Sequence, residues 1–153
     1  MSRAIFAALV AAAAVLAAGC GGRSTPTAEE LGRSVVSARD RVDFALARIT
    51  RAQSKDELLE RMDEAADVID DAVRDLEGVG APEGLDTDVK TLVEALRQLA
   101  FDVQATADQI RQPGFSDLLS GTQGLSFESW DAVNRALAAL DAQGIEVAPL
   151  ARH

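Results

Sequence analysis

The chain has 153 residues, with 25 Asp and Glu against 15 Lys and Arg, a net charge of −10, one His and one Cys. That length holds one domain, or one domain plus a processing segment. The acidic balance sets nucleic acid aside as a partner, because binding it needs a basic face that displaces counterions. A lone Cys excludes an internal disulfide framework and a Cys-rich zinc site, and the only His, at position 153, removes arrangements that need an imidazole base.

The first segment carries an address. Arg3 supplies a positive start, and Ala4 to Ala18 runs without a polar side chain. That run has the length of a signal-peptide core and falls short of the roughly 20 residues of a spanning helix. Leu16-Ala17-Ala18-Gly19-Cys20 follows. This resembles the lipobox of bacterial lipoproteins, with Leu16 one place earlier than the family prefers. The resemblance covers only about the first 20 residues. It implies that Cys20 receives a diacylglycerol and that a signal peptidase cuts between Gly19 and Cys20. The mature chain would then be lipid-anchored on the extracytoplasmic face of the cell membrane.

On this reading residues 1–19 are the signal peptide, and 20–26 are the lipidated Cys and a short tether. Residues 27–153 are one helical domain. Losing 1–19 removes one basic residue and no acid, so the mature charge is −11. The six residues after Cys20 span at most about 20 Å, which keeps the domain close to the membrane. Its negative charge disfavours insertion into anionic lipid.

The rest reads as helices. Thr27-Ala28-Glu29-Glu30 is a capping box. Leu31, Val35, Ala38, Val42, Ala45 and Ile49 then step 4-3-4-3-4 along one face. Ser54-Lys55-Asp56-Glu57 is a second box, followed by Leu58, Met62, Ala65, Ile69, Ala72 and Leu76 in the same steps. Gly78 to Gly84 breaks the pattern. Asp86 is the expected cap of a third helix with Val89, Leu92, Leu96, Leu99, Val103, Thr106 and Ile110 inward, and Pro113-Gly114 ends it. Ser116 is the expected cap of a short turn. Ser126 is the expected cap of a fourth helix with Phe127, Trp130, Val133, Leu137 and Leu140 inward, stopped by Gly144. The expectation is an all-α, up-down-up-down four-helix bundle made of hairpins over about 27–77 and 85–143. An extended tail, Ile145 to Leu150, would cover the open end of the bundle or add along a partner's sheet edge.

Candidate chemistry is sparse. Glu60, Glu64, Asp67, Asp71 and Asp75 form a stripe on the second helix, flanked by Asp63 and Asp70. Such acids suit a hard cation, yet no calcium loop or Glu-x-x-His pair accompanies them, so a solvated face is expected and no metal site is assigned. Gly121 to Gly124 lacks the context of a nucleophile elbow or a phosphate loop, and no catalytic residue or cofactor is assigned. Trp130 is expected in the core, and Asn134 and Arg135 at the surface. Phe101, Phe115, Phe127 and Trp130 could gather near the connection of helices three and four as a ligand pocket. The expected function is a non-catalytic interaction module that docks on an unknown envelope protein. The alternative is a small-ligand or metal-binding lipoprotein.

Overall fold

The structure is a computed structural model and describes residues 25–113 and 127–152. Four helices account for most of it: α1 (Ala28–Ile49), α2 (Lys55–Val79), α3 (Asp86–Arg111) and α4 (Glu128–Ala142). Consecutive helices pack on one another, and the described residues include no strand. Ion pairs show the alternating direction: Arg41 reaches Asp75 and Arg48 reaches Glu64 from α1 to α2, while Arg97 reaches Glu77 and Arg111 reaches Asp63 from α3 to α2. The chain is therefore the all-α, up-down-up-down bundle that its periodicity implies.

Helix starts follow local chemistry. The Thr27 hydroxyl accepts from the Glu30 N–H at 3.1 Å, and the Glu30 carboxylate accepts from the Thr27 N–H at 2.8 Å, a complete capping box. The second box is only half closed. Ser54 Oγ accepts from the Glu57 N–H, but the Glu57 carboxylate takes the Gln53 N–H at 2.7 Å. Asp86 is the first helical residue of α3; the cap is Leu85, which has no side-chain acceptor. Phe127 takes the cap position of α4, while Gly114, Ser116, Gly121, Gly124 and Ser126 lie outside the described residues.

The seams of α1 and α2 are buried at every expected position. In α3 one position moves: Ala107 is fully buried, whereas Thr106 is half-buried and donates to the Asp102 carbonyl at 2.8 Å. At 3.6 residues per turn, position 107 lies nearer the centre line of the seam than 106, and Ile110 is buried where expected.

The C-terminal segment completes the core. Gly144, with φ +91°, ends α4. The Gly144 N–H bonds to the Asp141 carbonyl and the Ile145 N–H to the Leu140 carbonyl, the paired bonds of a Schellman cap. Beyond it the chain does not cover the open end of the bundle, nor is it left free for a sheet edge. It turns back along the flank between α1 and α4, running parallel to α1. Ile145 lies against Gly32, the Pro149 carbonyl accepts from Arg39, and the Ala151 N–H donates to Asp43 at 2.7 Å. Ile145 and Leu150 are buried. The void left among Val35, Leu92, Val133, Leu137 and Leu150 is only about 10 Å³, so the tail closes against the core with little space between them.

Candidate functional site

The residues singled out in the sequence fall in different places. Gly19, Cys20 and Phe115 lie outside the described residues. Phe127 and Trp130 are packed in the core, at 7% and 8% exposure. Phe101 is 66% exposed and does not join them. The reason is angular. Arg97 and Arg111 of α3 face α2, and Asp102 faces α4, where it accepts from the buried Ser129 hydroxyl at 2.5 Å. Position 101 falls on the outer arc between these two directions.

The acids of α2 are spread over ion pairs rather than gathered. Glu64 meets Arg48, Asp75 meets Arg41, Asp71 meets Arg74, and Asp63 meets Arg111. Glu64 and Asp75 thus tie α2 to α1, and Asp63 ties it to α3. Each such pair is partly exposed and contributes at most about 1 kcal/mol. Among the described residues no group of three or more His, Cys, Asp or Glu could hold a metal ion.

The outer face of α1 carries exposed apolar side chains. Its inward residues are committed to the seam, so the opposite arc carries Glu29, Arg33, Val36, Asp40 and Phe44. Three large apolar side chains are exposed among the described residues. Two of them, Val36 and Phe44 at 65%, are on this face.

A groove runs along each side of α1. The first, about 820 Å³ and open, lies between the N-terminal half of α1 and the turn at Gly144 to Glu146; Ala28, Gly32 and Val36 line it. The second, about 350 Å³, lies between α1 and α2 around Phe44, Ala45, Ala65 and Val68, with Arg48 and Arg61 at its edge. Arg41 borders both. Arg61 also donates to the Arg48 carbonyl at 2.6 Å and pairs with Glu57, which ties the end of α1 to the start of α2.

Sequence periodicity fixes which residues of α1 face outward. The groove beside Gly32 was not readable from it, because its other wall is the tail folded back from α4. This site offers shape and mixed charge rather than reactive groups. No helix among the described residues is long and apolar enough to cross a membrane. Comparison with known proteins gives no match, whether to a family model, to a curated protein or to a solved structure.

Proposed function

We propose that this chain is a lipid-anchored extracytoplasmic lipoprotein whose bundle is a non-catalytic protein-interaction module. The observation that carries the interaction reading is the outer face of α1, where Val36 and Phe44 stand exposed between two grooves. An exposed aromatic beside concave, partly apolar surface is the usual make-up of a docking patch. The anchoring reading is supported by the lipobox-like Leu16 to Cys20 and by the position of the tether. Residues 20–26 lead directly into α1, so the docking face would lie next to the lipid surface.

The test is an intact native mass spectrum of the protein extracted gently from its own membranes. The expected species lacks residues 1–19, carries a diacylglycerol on Cys20 and retains a protein partner. A mature mass without acyl chains overturns the anchoring. A lipidated chain that retains no protein overturns the interaction reading.

A further inference from the structure

The outward arc of α1 is complementary to itself. At 3.6 residues per turn, Glu29, Arg33, Asp40 and Phe44 fall within about 60° of one another, opposite the buried seam. Val36 and Ser37 flank this stripe at its middle. No ion pair among the described residues uses Arg33. Asp40 is 59% exposed and meets only its neighbour Arg39, whose guanidinium is also turned to the Pro149 carbonyl.

We propose, building on the interaction reading above, that the partner of this face is a second copy of the chain. The two α1 helices pack antiparallel about a two-fold axis that passes between Val36 and Ser37. In that register Arg33 of each copy faces Asp40 of the other, which gives two symmetric ion pairs. Glu29 of each copy stands level with Phe44 of the other, so each Phe44 ring packs on the aliphatic stem of the partner's Glu29. The two members of each contact lie on one surface, which is what a closed, isologous dimer requires.

A parallel pairing fails on the same residues. It sets Arg33 against Arg33 and Asp40 against Asp40, and like charges facing each other disfavour association. Shifting one parallel helix by seven residues would join Arg33 to Asp40 once, but such a contact does not close. A single helix pair is a small interface. Confinement of both copies to one membrane surface raises their effective concentration and compensates for the small area.

The antiparallel pair places Ser37 of each copy near the axis, within disulfide reach of its mate. The experiment is oxidative cross-linking of the full-length Ser37→Cys chain in its own membranes, beside the unaltered chain, whose only thiol is that of Cys20. The expected cross-linked fraction is at least about tenfold above that background. Arg33→Glu is expected to weaken pairing at least about tenfold, and adding Asp40→Arg to restore it. All three positions are solvent-exposed, and an unchanged thermal midpoint checks that each variant folds. No cross-link above background overturns self-pairing. If a different protein is then retained and is lost on Phe44→Ser, the interaction reading survives with another partner; if none is retained, that reading falls as well. A cross-link that ignores Arg33→Glu overturns the register and, with it, the proposal.

Discussion

Asn134 stands in for a neighbouring strand. Its Oδ1 accepts from the Leu150 N–H at 2.7 Å, and its Nδ2 donates to the Leu150 carbonyl at 3.4 Å. The tail has no strand beside it, so its backbone groups rely on side chains of the helices that flank it. Arg39 supplies the Pro149 carbonyl, Asp43 the Ala151 N–H and Asp141 the Val147 N–H. The sequence suggests surface exposure for Asn134 because it lies among apolar neighbours and a buried amide needs partners. Its partner lies 16 residues away, across a turn whose direction no periodicity encodes. Replacing Asn134 with Ala leaves both Leu150 groups without their partner. A loss of about 1–3 kcal/mol is expected, read as a lower denaturant midpoint, together with earlier proteolytic clipping after Gly144. Unchanged clipping would show that the apolar contacts alone hold the tail.

Among the elements, α1 and α2 were the most legible. Their seams and caps depend on neighbours three and four residues apart, and those distances are fixed by the helix itself. The seam of α3 was legible at every position but one: Ala107 is buried in place of Thr106, and Ile110 is buried where expected. The cap boxes carry a pH signature. The backbone N–H of Thr27 holds the Glu30 carboxyl below its ordinary value of 4.5, and that of Gln53 does the same for Glu57. A depressed pKa means that the stabilisation is present above the ordinary value and is lost as pH falls through the lowered one. The thermal midpoint is therefore expected to drop as pH falls below the ordinary value of 4.5. The Glu30→Gln, Glu57→Gln double variant, which cannot ionise at either cap, should drop less. Parallel curves would remove these two groups from the acid response.

For the whole molecule, the bundle is a consequence of patterning, while the site depends on tertiary placement. Phe101 and Phe44 have similar sequence surroundings, each between an Asp and an Ala. Only Phe44 borders a groove described here, because α2 rises beside α1 at that point. The candidate pocket at the late aromatics does not gather Phe101, since Phe127 and Trp130 are drawn into the core while Phe101 faces outward. On an acidic, partly ion-paired surface, two of the three exposed large apolar side chains among the described residues stand on α1.

The folded-back tail also sets an order of events. Contacts within α1–α2 and α2–α3 close short loops, whereas Arg39 to Pro149 and Asp43 to Ala151 join residues 110 and 108 apart. Loop closure over such separations costs more entropy, and contacts of that kind form late. A chain made from its N-terminus thus carries α1 with one flank uncovered until the segment over 145–151 has emerged. Leu150→Ala is expected to speed unfolding while leaving the folding rate almost unchanged, a split that a chevron plot resolves. During that interval the flank of α1 is open to whatever binds unfinished chains, and the docking of residues 145–151 ends the exposure.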